Sequence, residues 1–424
     1  MNGKDFTVFM QNQSVFLEIM NHFIHPDSPA AAVDALTERQ IGELLNAGRM
    51  HSLFPAVFDA VRTAPAFGAL PEPVRQALRQ EIRTAVISQV MRTELFHSTY
   101  RHLTEGGVTP LVVKGIVLRS LYSHPDYRAS SDEDLLVKKE EFFRLDELLR
   151  QEGFQAELGE NPLSEHEITY WHAKTGAHLE IHLSLFPEDS EAYGHLNEPF
   201  RDAFERQITV QIDGTQVHTL HPTDHMLYLI CHGLKHFLHS GFGIRQVCDM
   251  VVFAEHYGDR IDWLMIEGWA RKQGYWIFLV NLFAIGEIYL GFCPEKAGFR
   301  MPGNVRIDCG NMLEDLLQSG IYGKSSEDRI HSSNMTLRAA AAGEEKGGIF
   351  ASMFPDIGYM KGKYPYLEHR KYLLPLAWCQ RGAAYLRHSG SGEIRQTLDL
   401  GRRRVELLKQ YGLTGKKSRR RSGR

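Results

Sequence analysis

Cysteines are few in this chain of 424 residues, and long apolar runs are absent. The five cysteines are odd in number and have no C-x-x-C spacing, which fits a reducing compartment. The longest apolar stretch, residues 276–286, contains Asn281 and is too short to span a bilayer. The first residues lack the basic and then apolar order of a signal peptide. We therefore expect a cytoplasmic protein that has no membrane partner.

Positive charge is scarce in the body of the chain and concentrated at its end. The formal net charge is −4, and residues 416–424 hold six basic side chains and no acid. Without that +6 the rest of the chain carries −10, which argues against a general nucleic-acid surface. We expect any nucleic acid to bind only through this basic tail. The alternative interpretation is that the tail is a disordered, solubilising end.

Length and composition favour more than one folded region. The chain exceeds the usual size of a single hydrophobic core, and its 43% hydrophobic and 24% charged residues are typical of globular proteins. Periodicity predicts a helical N-terminal region over residues 1–105. Short strands alternate with helices over residues 106–220, and helical periodicity returns over residues 221–415, before the tail. This order indicates an α+β fold in which a sheet domain is flanked by two helical regions.

Two aspartates stand two residues apart at the head of an apolar run. Asp132 and Asp134 open the pattern of residues 132–137, which is typical of a buried strand. Because side chains alternate along a strand, both carboxylates would project from one face and Glu133 from the other. Mg²⁺ prefers oxygen ligands, usually one or two carboxylates completed by substrate phosphates. The pair therefore predicts the protein half of a divalent-metal site.

A third carboxylate is expected on a neighbouring strand. In the stretch 178–183, alternation puts His178, Glu180 and His182 on one face and apolar residues on the other. Three polar residues on one side of a strand are also typical of a plain solvent face. The aspartate strand in the same domain favours a metal ligand at Glu180.

These motifs together resemble a known family. Similar features occur in the nucleotidyltransferase-fold superfamily that includes DNA polymerase β, and more closely in an uncharacterised bacterial family of nucleotidyltransferases. The likeness covers most of residues 75–385. The features that carry it are an apolar strand ending in Lys114-Gly115, Arg128 before the aspartate strand, and the acidic-x-His pattern of Glu180 and His182.

The resemblance implies a fold and an activity. The fold would be a nucleotidyltransferase-like mixed sheet between helical regions. The activity would be transfer of a nucleoside monophosphate from an NTP to an acceptor, either a small molecule or a protein, with Mg²⁺ or Mn²⁺ as cofactor. The implied catalytic and metal-binding residues are Asp132, Asp134 and Glu180.

The resemblance also implies a nucleotide-binding turn. Gly115, at a strand-to-helix turn, would let backbone N–H groups approach a triphosphate. Lys114 would add a positive charge for phosphate. Arg128 would grip phosphate with two parallel hydrogen bonds, or instead pair with a nearby carboxylate and hold its loop.

Glu133 departs from the family pattern, in which an apolar residue separates the two aspartates. Glu133 would face the helix-covered side of the sheet unless the strand begins at residue 134, or it would replace one of the metal ligands. This residue motivates an alternative function, in which the chain is a catalytically inactive nucleotide-binding or regulatory module. A further alternative is a nucleic-acid-associated protein that acts through its tail. The turn also reads Lys-Gly, where the wider superfamily has Gly-Ser.

The histidines suggest a rival metal site. His232 and His236 lie one turn apart on a predicted helix, as zinc-binding histidines do. The glutamate that follows the first histidine in H-E-x-x-H enzymes is missing, which disfavours zinc hydrolysis. These two histidines would either pack against the sheet domain or, as the resemblance implies, line a substrate cleft together with His182. Asp249 follows Arg245 by one turn, so that a simple helix ion pair accounts for both.

Overall fold

A computed structural model describes residues 3–190, 192–238, 241–303, 305, 307–319, 357, 360, 364–367, 370–380 and 391–414. The basic tail, residues 416–424, lies outside these residues. No helix in the described ranges is long and apolar enough to cross a membrane.

Helices precede and follow the sheet in the described ranges. The N-terminal helices are α1 (Gly3–Ile24), α2 (Glu38–Met50), α3 (Phe54–Val61), α4 (Pro65–Ala69) and α5 (Glu72–Glu105). Those after the sheet are α8 (Pro222–Leu238), α9 (Ile244–Tyr257), α10 (Trp263–Gln273), α11 (Trp276–Tyr289) and α12 (Gly310–Ser319), and a further helix spans Ser391–Gln410. Two shorter helices lie within the sheet region, namely α6 (Gly115–Arg119) and α7 (Phe142–Gln151).

The described strands form one mixed sheet. They are β1 (Leu111–Val112), β2 (Asp132–Leu136), β3 (Phe154–Gln155), β4 (Glu167–His172), β5 (Ala177–His182), β6 (Ile208–Ile212) and β7 (Thr215–Thr219). Their order across the sheet is β3-β4-β5-β2-β1-β7-β6. β2 runs parallel to β5 and antiparallel to β1, which places the aspartate strand near the centre of the sheet. The expected α+β fold, with a mixed sheet flanked by helical regions, is confirmed.

Two apolar clusters cover the two faces of the sheet. Neighbouring residues of β2 point to opposite clusters, since Leu135 packs in one and Leu136 in the other. The cluster around Leu135 includes Tyr100 of α5 and Leu145 of α7. The cluster around Leu136 contains residues from the N-terminal helices and from α8, α9 and α11, so both ends of the chain share one core. The face of β2 that carries Asp134 therefore looks towards the helices that follow the sheet.

Candidate active site

The parallel pairing of β2 and β5 brings the predicted carboxylates together. Asp134 is the register partner of Glu180, and Asp132 is the partner of His178. Ligand atoms of Asp134, Glu180 and His182 all lie within 4.8 Å of one another. We call these three side chains the carboxylate–histidine group. It contains two of the residues expected to bind metal, together with a histidine that was expected in the substrate cleft.

Asp132 lies at the exposed start of the same strand. Its side chain is half-buried and lines the same cavity as Asp134. The negative charge of Asp132 is also close enough to contribute to the raised pKa of Glu180. Asp132 is outside the group within 4.8 Å, so its role as a metal ligand stays a prediction.

Burial and neighbouring charge shift the pKa values of Asp134 and Glu180 in opposite directions. Asp134 is 1% exposed, and its Oδ1 lies 2.8 Å from Lys114 Nζ and 3.1 Å from His182 Nε2. Burial alone would raise the pKa of Asp134, but Lys114 and His182 hold it below its ordinary value. Burial, with the nearby charge of Asp134, raises the pKa of Glu180 to about 9. The pair therefore holds one carboxylate charged and the other protonated at neutral pH.

Lys114 connects this group to the histidines of α8. Its Nζ lies 3.1 Å from His232 Nε2, which in turn lies 3.1 Å from His236 Nε2. Burial and the charge of Lys114 hold the pKa of His232 well below its ordinary value, so this imidazole is neutral. Among the described residues, the three-membered group with metal-ligand spacing is the carboxylate–histidine group and does not include this histidine pair.

Glu133 points to the opposite face of β2, as alternation requires. Its Oε1 accepts a hydrogen bond from Arg119 Nη1 at 2.6 Å, and its Oε2 accepts one from the Ile116 N–H at 2.6 Å. Both carboxylate oxygens therefore hold α6, and neither faces the carboxylate–histidine group. The unusual residue between the aspartates does not shift the register of the strand.

Glu133 also explains why Gly115 begins α6. The φ angle of Gly115 is +49°, a conformation that favours glycine. A Cβ at this position would lie 1.7 Å from Glu133 Oε2. The sequence reasoning assigned this glycine to phosphate binding, and the structure adds a packing requirement for it. Gly115 still lines the cavity beside Lys114.

Arg128 is held by a carboxylate of α9. Its Nε and Nη2 donate to the two oxygens of Asp249 at 2.8 and 2.7 Å, and Tyr122 Oη donates to the same carboxylate at 2.8 Å. Burial would raise the pKa of Asp249, but Arg128 lowers it below its ordinary value. Arg245, which was expected to pair with Asp249, donates to the backbone carbonyl of Ala129. The loop before β2 is therefore fastened to α9 at two points.

An open cavity lies between β2, α6 and the helices α8 and α9. We call it the β2–α9 cavity. The contribution of α9 to this cavity was not expected from the sequence, because no local pattern connects residues 245–250 to the aspartate strand. The cavity is lined by Lys114, Gly115, Leu118, Arg128, Ser130, Asp132, Asp134, Leu229, His232, Arg245, Gln246, Asp249 and Met250.

Comparison with known families identifies this arrangement. Residues 37–289 match the family described as uncharacterised nucleotidyltransferase. The chain belongs to this family. The match covers more than half of the chain and contains the whole sheet, both wall helices and the carboxylate–histidine group. No curated protein and no solved structure matches the chain.

For a nucleotidyltransferase, the carboxylate–histidine group has the composition of a divalent-cation site. Its donors are two carboxylate oxygens and one imidazole nitrogen, a set that suits Mn²⁺ and, through the oxygens, Mg²⁺. The proton on Glu180 is held by burial and by the charge of Asp134. A cation would replace this proton, because metal ligands bind in their deprotonated form.

Proposed function

We propose that this nucleotidyltransferase moves a nucleoside monophosphate from an NTP to an acceptor in a reaction that depends on Mg²⁺ or Mn²⁺. The observation that carries this proposal is the register pairing of Asp134 with Glu180, which puts two carboxylates and His182 within ligand distance of one another. Asp132, on the same face, would complete the metal-binding set.

The cationic residues of the β2–α9 cavity would hold the nucleotide. Lys114 already compensates the charge of Asp134 at 2.8 Å and would place its positive charge beside the phosphate groups. Arg128 is oriented by Asp249, which fixes its guanidinium at the cavity wall. His232 would keep Lys114 in place as a neutral neighbour, and Gly115 would allow close approach of the substrate to the turn.

The proposed reaction forms one bond and breaks another at the α-phosphorus. An acceptor oxygen would attack this phosphorus in line, and the bond to the bridging α–β oxygen would break, which releases pyrophosphate. A bound divalent cation would supply Lewis-acid stabilisation of the phosphate oxygens. Asp134, Glu180 and His182 would bind that cation through ligand atoms that lie within 4.8 Å of one another. Acceptors that carry a hydroxyl would lose a proton to solvent.

A catalytically inactive module was the alternative suggested by Glu133. That residue is engaged with Arg119 and Ile116, away from the carboxylate–histidine group, so its presence leaves the proposed metal ligands intact. A nucleic-acid function would depend on the tail, which is outside the described residues.

The test is metal and nucleotide binding by Asp134→Asn and Glu180→Gln. Because Glu180 is protonated near pH 7, the glutamine variant preserves the neutral state and should fold normally. We expect both variants to lose Mn²⁺ binding, measured by electron paramagnetic resonance, and to lose Mg²⁺-dependent release of pyrophosphate from NTPs. The exposed Asp259→Asn is the matched control. Unchanged Mn²⁺ and nucleotide binding in the two site variants would contradict the proposal.

A further inference from the structure

Gln246 lines the β2–α9 cavity and has a buried hydrogen-bond donor without an acceptor among the described residues. It stands in the first turn of α9, and its Oε1 accepts the Gly243 N–H at 2.9 Å. A backbone N–H can only donate, so the oxygen of this amide must face Gly243 and Nε2 must face elsewhere. Gln246 is 8% exposed and lines the cavity, and its Nε2 has no acceptor among the described residues.

Arg128 presents a second donor of the same kind. Its Nε and Nη2 form a side-on pair with Asp249, and a planar guanidinium bound in this way directs Nη1 away from the carboxylate. This Nη1 is buried and has no acceptor in the described part of the chain. A buried donor without an acceptor is destabilising, which is a reason to expect an acceptor from a ligand.

Charge favours an anionic ligand once a cation is bound. The cavity is lined by the cations Lys114, Arg128 and Arg245, and Asp249 is already paired with Arg128. A divalent cation at Asp134 would compensate the remaining carboxylates. Buried donors without acceptors suit phosphate oxygens, which only accept hydrogen bonds.

We propose that Gln246 is a nucleotide-binding residue whose amide N–H, together with Arg128 Nη1, holds oxygens of the substrate's phosphate groups. This inference rests on the proposed function. It assigns the β2–α9 cavity to the leaving pyrophosphate part of the NTP. The acceptor then approaches the carboxylate–histidine group from outside this cavity.

The test uses inorganic pyrophosphate with Mg²⁺ as the probe and isothermal titration as the measurement. In Gln246→Glu one carboxylate oxygen still accepts the Gly243 N–H, and only the donor is replaced by a negative oxygen. We expect this variant to bind pyrophosphate at least about tenfold more weakly than wild type, since hydrogen bonds to charged groups are among the stronger ones. Gln246→Met, which removes the donor without adding charge, should weaken binding by a smaller factor.

The control is the same substitution at an equivalent helix position. Gln40 occupies the third position of α2 and also accepts a backbone N–H from the residue before the helix. Gln40→Glu should leave pyrophosphate affinity unchanged, which separates a contact with ligand from a general effect on helix starts. Ribonucleosides without phosphate should show no difference between wild type and Gln246→Glu.

The outcomes distinguish this inference from the proposed function. Wild-type affinity for pyrophosphate in both Gln246 variants would overturn the inference, as would a wild-type protein that binds no pyrophosphate. Equal weakening for the ribonucleosides would also overturn it, since the amide would then contact the nucleoside. Gln246-dependent pyrophosphate binding in a protein that transfers no nucleotide would support the inference and refute the proposed function.

Discussion

Glu133 and Arg119 form a buried ion pair in which Arg119 Nη1 lies 2.6 Å from Glu133 Oε1. The pair lies on the face of β2 opposite Asp134. It ties the middle of that strand to the last residue of α6, while the second carboxylate oxygen holds the Ile116 N–H at the start of the same helix. Glu133 thus holds the turn that carries Lys114 from the opposite face of β2 and does not itself face the cavity.

Removing one member of this pair should destabilise the protein strongly. Glu133→Leu leaves the buried Arg119 charge without its carboxylate, and we expect a loss of about 3–5 kcal/mol in the free energy of unfolding. The double variant Glu133→Leu with Arg119→Met removes both charges and should recover most of that loss. Urea denaturation measures all three proteins. Equal stabilities of the single and double variants would show that the charges are not coupled.

Gly115→Ala should be destabilising because of both conformation and contact. The new Cβ would lie 1.7 Å from Glu133 Oε2 at a φ of +49°, so the carboxylate would have to leave Ile116. We expect a loss of more than about 2 kcal/mol in thermal or urea unfolding.

Gly42→Ala provides the matched control for Gly115→Ala. Gly42 is an exposed residue inside α2, and a Cβ there would meet no atom within 4 Å. The same substitution should stabilise the protein by about 0.5–1 kcal/mol, since alanine is the better helix former. Similar effects at both glycines would contradict the explanation given for Gly115.

The contact between Arg128 and Asp249 predicts a ranking of substitutions by the unfolding free energy that each one removes. Asp249→Asn should cost about 3–5 kcal/mol of unfolding free energy, because a buried guanidinium loses its charged partner. Tyr122→Phe removes one hydrogen bond to the same carboxylate and should cost only about 1 kcal/mol. Glu267→Gln, in an exposed pair with Arg271, should change stability by less than about 1 kcal/mol. A smaller cost for Asp249→Asn than for Tyr122→Phe would refute this ranking.

Stability should fall as the pH drops below neutrality. Burial lowers the pKa of His225 to about 3 and that of His51 to about 4. An unfolded histidine titrates near pH 6.5. Below that pH these two histidines bind protons in the unfolded chain but not in the folded chain. Each of these histidines should then remove up to about 1.4 kcal/mol of unfolding free energy per pH unit.

A variant without one of these histidines tests the pH dependence. His225→Gln should reduce the slope of unfolding free energy between pH 6 and pH 5 by about 1 kcal/mol per pH unit. Identical slopes in wild type and His225→Gln would mean that the folded protein can protonate this buried ring.

The face of β2 that carries the aspartates was predictable because it depends on local periodicity. Alternation along residues 132–137 put Asp132 and Asp134 on one face and Glu133 on the other, and the structure has this arrangement. The position of Glu180 on a neighbouring strand also followed from a strand pattern. The mixed sheet itself came from the resemblance, since periodicity does not specify strand order.

Contacts between distant segments were not predictable in the same way. Arg128 and Asp249 are 121 residues apart, and no spacing in the sequence connects them. The local pattern at Asp249 indicated only Arg245, whose charge does help to lower the pKa of Asp249, while the fold adds Arg128 from the loop before β2. The place of His182 in the carboxylate–histidine group was not predictable either. It depends on the side-chain conformation of His182 at the end of β5.

The shared core of the two ends of the chain affects how the protein is made. Phe23 and Val57 of the N-terminal helices belong to the same apolar cluster as Phe253 and Leu279, and α1 contacts both α9 and α11. The first helices therefore leave the ribosome some two hundred residues before the segments that cover them, as their positions in the chain require. A nascent chain of this kind exposes apolar surface during synthesis and is prone to aggregation. Chaperone supply is therefore expected to limit the yield of folded enzyme in a cell.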